Sequence, residues 1–188
     1  RGRAQASLAA LRFYTEFADP AKPGYSWNAS LPEARKAFIA GNLALYIGLS
    51  SEKKLIEAAN PNLNFAATAV PQRRSAASFI NAGHTYAFAI PRTSKNPNGA
   101  RAVEYKLAGP DIALALSERF GMPSARRDIL SKPFTSDLNE FNKQAILVRS
   151  WVDPDPARTS EIFRAMIEDT VSGSMLLGEA VQRADRQA

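Results

Sequence analysis

Few residues in this chain could do covalent chemistry. There is no Cys, and His84 is the single His. That excludes disulfide scaffolds, thiolate metal sites, cysteine nucleophiles and multi-His metal clusters. A catalytic His needs an orienting carboxylate and a nucleophile in reach. No motif nominates either partner for His84, so the sequence reads as non-enzymatic. Asp153 and Asp155 lie in Asp153-Pro154-Asp155-Pro156. Calcium loops need denser oxygen ligands at defined spacing, and with the intervening prolines a capping or surface role is the better reading of this pair. The binding chemistry is more visible. Ser50-Ser51-Glu52 stands where a helix opens after an apolar run. Ser is a favoured N-cap, and Glu in a first turn complements the helix dipole. Hydroxyls and first-turn N–H groups there can hold a hydroxyl-bearing or anionic ligand. Asn28-Ala29-Ser30 fits a glycosylation acceptor pattern, a three-residue match that by itself carries little weight.

The chain has 188 residues, and its formal charge is 24 − 18 = +6. That length suits one domain or two small lobes and can bury a real core. No apolar run approaches the roughly 20 residues of a membrane span. Basic residues are scattered, the densest groups being Lys53-Lys54, Arg73-Arg74 and Arg126-Arg127. Without clustering or a recognition motif, nucleic acid is not an expected partner.

The elements that must position these residues follow from apolar spacing and punctuation. Residues 5–18 show helical spacing, stopped by Asp19-Pro20 and Lys22-Pro23-Gly24. Ser30-Leu31-Pro32-Glu33 matches a capping box, opening a helix that Gly41 ends. Residues 43–49 predict a buried strand, residues 52–59 a short helix, and residues 63–70 a second strand. Residues 78–90 are expected to be mostly extended, with Gly83 and His84 in the middle. Asn96-Pro97 opens a helix to about Leu107, Gly109-Pro110 restarts it, and Gly121 stops it. Residues 137–150 predict a helix, and Asp153 to Pro156 a rigid linker. Helices over 160–171 and 175–184 follow, split by Ser172-Gly173. Strands with helical crossovers predict α/β layering. Tyr25, Trp27 and Tyr46 are expected in packing roles.

Several of these stretches together resemble one family. Phe38-Ile39-Ala40-Gly41-Asn42-Leu43-Ala44-Leu45-Tyr46 resembles an F-x-x-G-x-x-A stretch of the extracellular solute-binding proteins of family 1, the maltose-binding-protein-like subunits of ABC importers. Residues Asn64 to Pro71 resemble the family's next strand. Ile90 to Ala100 resembles its helix entry, and Phe120 to Arg126 its G-x-x-Pro loop. Ser172-Gly173 with the helix Glu179 to Ala184 resembles its ending. The resemblance covers the family's second half, in order, across most of the chain.

It implies an α/β fold: the carboxy-terminal lobe of a two-lobed, class II periplasmic-binding-protein-like architecture, a mixed sheet flanked by helices. The chain is then expected to be a fragment. Residues 84–121 would form the hinge crossing and the helices that pack on an amino-terminal lobe in relatives. Left without that lobe, they would expose an apolar face or self-associate. The implied function is capture of a solute, a carbohydrate, in an inter-lobe cleft, with delivery to an ABC transporter permease. The implied location is extracytoplasmic, with membrane contact only through the transporter or an upstream lipid anchor. No cofactor or metal is implied. Ser50, Ser51 and Glu52 would face the cleft, Gly83 and His84 would lie where the hinge strand passes it, and Trp151 and Arg164 fall in regions that contact ligand. Relatives often place an aromatic near Ser50, so a stacked sugar is not expected there. The fragment alone is expected to bind weakly. The alternative is a stand-alone, non-enzymatic interaction module that sets a basic face against an acidic partner.

Overall fold

The computed structural model describes residues 2–74, 76, 78–133, 138–150 and 152–187. Their elements run α1 (Gly2–Glu16), α2 (Ala34–Ile39), α3 (Glu52–Ala59), β1 (Asn81–Ala82), α4 (Pro97–Leu107), α5 (Pro110–Phe120), α6 (Arg127–Leu130), α7 (Leu138–Ala145), β2 (Val148–Arg149), α8 (Pro156–Ser172) and α9 (Leu177–Gln187). The chain divides into two compact units, one of Arg1–Pro32 with Trp151–Ala188, the other of Glu33–Ser150.

Helix ends fall largely where local chemistry puts them. Asn96 accepts a hydrogen bond from the Gly99 N–H at 2.9 Å, with Pro97 at the first helical position of α4. Gly41, Gly121 and Gly173 close α2, α5 and α8 with φ of 77°, 65° and 73°. That left-handed region penalises any side chain with a Cβ. The Asp-Pro-Asp-Pro stretch is a helix start rather than a linker. Asp155 accepts from the Arg158 N–H at 3.1 Å, and Asp153 accepts from the Thr159 hydroxyl at 3.0 Å. Pro156 is already the first residue of α8. Prolines with φ near −65° are preorganised for that position.

In the first unit α1, α8 and α9 pack together. Ala180 and Ala184, one turn apart on α9, are buried, as are Leu11 and Ala18. Small side chains on one stripe let helices approach closely. Polar contacts fix the register of α8 on α9. Arg158 donates to the Gln187 carbonyl at 2.9 Å, and Arg183 meets Asp169 at 2.7 Å.

In the second unit α2 packs on α3, and α4 on α5. Buried apolar residues here are Ile56, Ile129 and Leu138. β1 and β2 pair in parallel, Asn81 with Val148 and Ala82 with Arg149. The Asn81 N–H donates to the Leu147 carbonyl at 3.0 Å, and the Asn81 and Gln144 side-chain amides bond each other.

The expected α/β lobe with a mixed sheet is overturned. About half of the residues are helical, and the strands among the described residues are two parallel pairs of positions. Residues 43–49 and 63–70 form no ladder. Their apolar side chains are used differently. Tyr46 stacks on Phe38 with centroids 5.7 Å apart, and Phe65 meets Phe38 edge-on at 5.5 Å. Leu63, Phe65 and Ala67 are half-buried and alternate with exposed Asn64, Ala66 and Thr68. The period of two is thus present without the neighbouring strand that would turn it into a sheet. Leu45 and Ile47 are 82% and 78% exposed, so the buried-strand expectation for 43–49 also fails. The capping box at Ser30 fails as well. The Ser30 N–H and hydroxyl both donate to Asn28 Oδ1, and α2 starts four residues later with no side-chain cap. An Asx turn has outcompeted the helix start. The helix expected over 137–150 is shorter, α7 giving way to β2.

Candidate functional site

Glu52 is the organising residue of the candidate site in the second unit. It opens α3, and its side chain turns back over the preceding segment. One carboxylate oxygen accepts from the Tyr46 hydroxyl at 2.9 Å and from Arg35 at 3.3 Å. The other accepts from the Leu49 N–H at 2.7 Å. Charge-assisted bonds of this kind are short and strong. Together they hold residues 46–52 as a loop over the aromatic cluster of Phe38, Tyr46 and Phe65. Glu52 is therefore committed inward, as a brace.

Ser50 and Ser51 sit half-buried beside it. Ser51 occupies the N-cap position of α3 without a side-chain capping bond. The N–H groups expected to be free are in use. Glu52 N–H donates to the Leu49 carbonyl at 3.0 Å, and Lys53 N–H to the Ser50 carbonyl at 3.2 Å. The Ser50 and Ser51 hydroxyls have no hydrogen-bond partner among the described residues, so they are the groups left to meet a ligand. Lys53 pairs with Glu57 and lies 5.6 Å from the Phe65 ring centroid. It thus covers one side of the cluster.

Burial, the hydrogen bond to Glu52 and the Glu52 charge push the Tyr46 hydroxyl above the ordinary tyrosine range. A raised folded-state value favours the protonated form. The contribution is present below the unfolded-state value near 10 and is lost as pH rises through the folded value. In an alkaline titration followed by tyrosinate absorbance, Tyr46 is expected to ionise later than an unhindered tyrosine. Tyr46→Phe should remove that late component, and Glu52→Gln should move it to lower pH. Co-titration of Tyr46 with the exposed tyrosines would contradict the brace.

Gly83 directly follows β1, in the same unit. A Cβ there would stand 2.9 Å from Val148 Cγ1, so glycine is what permits the close approach to β2. His84 is exposed beyond this point. Its ring has no hydrogen-bond partner among the described residues. Arg164 lies on α8, in the first unit, where it pairs with Glu168 at 3.1 Å. Both side chains are well exposed, the setting of an ordinary surface pair one turn apart. Trp151 lies outside the described residues. The structure thus gathers Ser50, Ser51 and Glu52 at one helix entry. Gly83 and His84 stand on a separate segment of that unit, and Arg164 stands in the other unit. Asp155 caps α8, while Asp153 accepts from the Asp155 N–H at 3.1 Å and from the Thr159 hydroxyl at 3.0 Å. Among the described residues no group of three or more His, Asp or Glu could hold a metal.

One feature escaped sequence reading. An open cleft of about 400 Å³ lies in the first unit, between the end of α1 and the last turn of α8. Arg12, Glu16, Asp19 and Lys22 line one side of it, and Thr170 and Val171 the other. The signal was available as the charges Arg12 and Glu16, four positions apart and so on one face of α1, with Asp19 just past the helix end. Such a pattern usually marks a solvated surface, and only the arrival of α8 makes it a wall. Compared with known protein-family models and with curated proteins, the chain matches none.

Proposed function

We propose that this chain takes part in non-enzymatic capture of a small, hydroxyl-rich solute, a carbohydrate, in a substrate-binding protein of an ABC importer, with delivery to the transporter permease outside the cytoplasm. The observation that carries the reading is the ordered series of family-like stretches along the chain. The α/β lobe plays no part in it, having been overturned. Supporting it locally, Gly41, Asn96-Pro97, Gly121 and Ser172-Gly173 all act as helix punctuation. The unpartnered hydroxyls of Ser50 and Ser51, held at a braced loop edge, are groups suited to a sugar's own hydroxyls. His84 and Gly83 are the further contacts the resemblance suggests.

The test is a nuclear magnetic resonance titration with neutral mono- and oligosaccharides at low and moderate salt. The expected result is weak, saturable binding, with Kd in about the millimolar range. Shifts should centre on Ser50, Ser51, Gly83 and His84 and change little with salt, because a neutral ligand releases no counterions. Ser50→Ala and Ser51→Ala should each weaken binding by about fivefold, the worth of one net hydrogen bond of about 1 kcal/mol. Absence of saturable shifts at these residues with every sugar would overturn the reading. Tight, steeply salt-dependent binding of a polyanion instead would establish the basic-face interaction module.

A further inference from the structure

Independently of the carbohydrate reading, we infer that residues 84–89 form a dimerisation strand, pairing antiparallel with the same residues of a second copy about a twofold axis at Tyr86. Among the described residues, β1 pairs with β2 over Asn81 and Ala82 alone, and the chain then runs on to Pro91 without a turn, bend or helix. Every residue from His84 to Ala89 is exposed, Tyr86 by 80% and Phe88 by 51%. No N–H or carbonyl of this stretch has a hydrogen-bond partner among the described residues. Bare extended chain of this kind is a template for pairing with another strand.

The order of its side chains selects the partner. Along a strand, alternate positions share a face. One face carries the rings of His84, Tyr86 and Phe88, and the other carries the small residues Gly83, Thr85, Ala87 and Ala89. Both series are symmetrical in size about Tyr86. An antiparallel copy in that register sets Tyr86 opposite Tyr86, His84 opposite Phe88 and Thr85 opposite Ala87. Rings then meet rings, and small residues meet small ones. A twofold contact requires such self-complementarity, and aromatic pairs across strands are stabilising. A slip of one residue would set Tyr86 against Ala87 and break the row.

Charge agrees with a second copy. The unit Glu33–Ser150 holds 16 Lys and Arg against 9 Asp and Glu, so two copies repel where their charged surfaces meet. Residues 75–91 hold no Lys, Arg, Asp or Glu. This uncharged window admits a copy and offers no ion pair to a charged partner of another kind. The area suits a weak dimer. At these exposures Tyr86 and Phe88 of two copies would together bring about 500 Å² into the contact. The main chains of the two strands take the total towards the roughly 1,000 Å² of a small specific interface.

The test is sedimentation velocity of the full chain, without sugar, from about 1 to about 200 μM. A monomer–dimer equilibrium with Kd of about 10 μM is expected. Tyr86→Lys, which opposes two cations across the axis, should weaken the dimer at least about tenfold. Leu45→Lys, at a residue 82% exposed outside this strand, should leave it unchanged. The chain has no Cys, so one introduced thiol reports the register. Under mild oxidation Tyr86→Cys should link two copies, whereas the thiols of Ala89→Cys would stand about 20 Å apart and should link far more slowly. In the unaltered chain, hydrogen exchange at alternate amides of residues 84–88 should slow as concentration rises. A monomer at ~200 μM, a dimer that survives Tyr86→Lys, or equally fast linking through Ala89→Cys would overturn the pairing. Open-ended assembly would also overturn it, since a twofold contact closes at two copies. None of these readouts involves a sugar, so the carbohydrate reading stands or falls separately.

Discussion

Replacing Ile129 with Ala is expected to destabilise the unit Glu33–Ser150 by about 2–5 kcal/mol. Ile129 is 1% exposed, the largest fully buried side chain among the described residues. It sits on α6, a helix of four residues that makes too few internal hydrogen bonds to hold itself. The short helix is anchored by Arg126, which bonds Asp128 at 3.0 Å and the Ala108 carbonyl at 3.1 Å, and by the burial of Ile129. The same Arg126 bond keeps the Asp128 carboxyl below its ordinary range. Removing the Ile129 side chain loses its transfer free energy and leaves a cavity that such a short element cannot easily fill. Urea denaturation followed by circular dichroism measures the effect as a lower midpoint at unchanged slope. Val103→Ala, on a residue 58% exposed, serves as the control and should shift stability by no more than about 0.5 kcal/mol. Equal effects of the two substitutions would mean that Ile129 is not a core anchor.

The second large effect has the opposite sign. Asn142→Leu is expected to stabilise the same unit by about 1–3 kcal/mol. Asn142 lies on α7 and is 3% exposed, yet neither its side-chain oxygen nor its nitrogen has a hydrogen-bond partner among the described residues. An amide buried without partners forfeits its bonds to water and gains nothing in exchange. Leu has nearly the same volume, so the swap removes the desolvation cost without opening a cavity. Asn142→Asp should do the reverse at neutral pH, because it buries a charge, and its cost should shrink as pH falls through the value for that carboxyl. The measurement is again the denaturation midpoint. A loss of stability in Asn142→Leu would show that the amide satisfies a group which the leucine leaves stranded.

The Glu52 brace and the Asn142 burial illustrate two kinds of legibility. Glu in the first turn after Ser-Ser was readable as a helix-dipole residue. That its carboxylate would fold back onto the Leu49 N–H follows from the same short spacing. Its bonds to Tyr46 and Arg35 needed the aromatic cluster to bring those residues within reach. Asn142, by contrast, occupies a polar position in a helix rich in polar residues, Leu138-Asn139-Glu140-Phe141-Asn142-Lys143. Nothing in that spacing distinguishes it from a solvated side chain. Arg12 has the same history: its helical face was visible, and the second wall of its cleft was not.

What the sequence alone determined were the features closed within a few residues. Asn96 capping α4, the prolines opening α4, α5 and α8, the left-handed glycines at 41, 121 and 173, the Asp155 cap and the Asp153 bonds beside it all depend on backbone sterics and on bonds spanning six positions or fewer. Tertiary structure decided what the apolar runs became. A strand is stable only beside another strand, and its partner lies anywhere in the chain. The alternation over 63–70 and the apolar run of 43–49 therefore carried equal promise of a sheet and of side chains docked onto Phe38. The pairing that did form joins Asn81 to Val148, across 67 positions, and no local rule could have selected it.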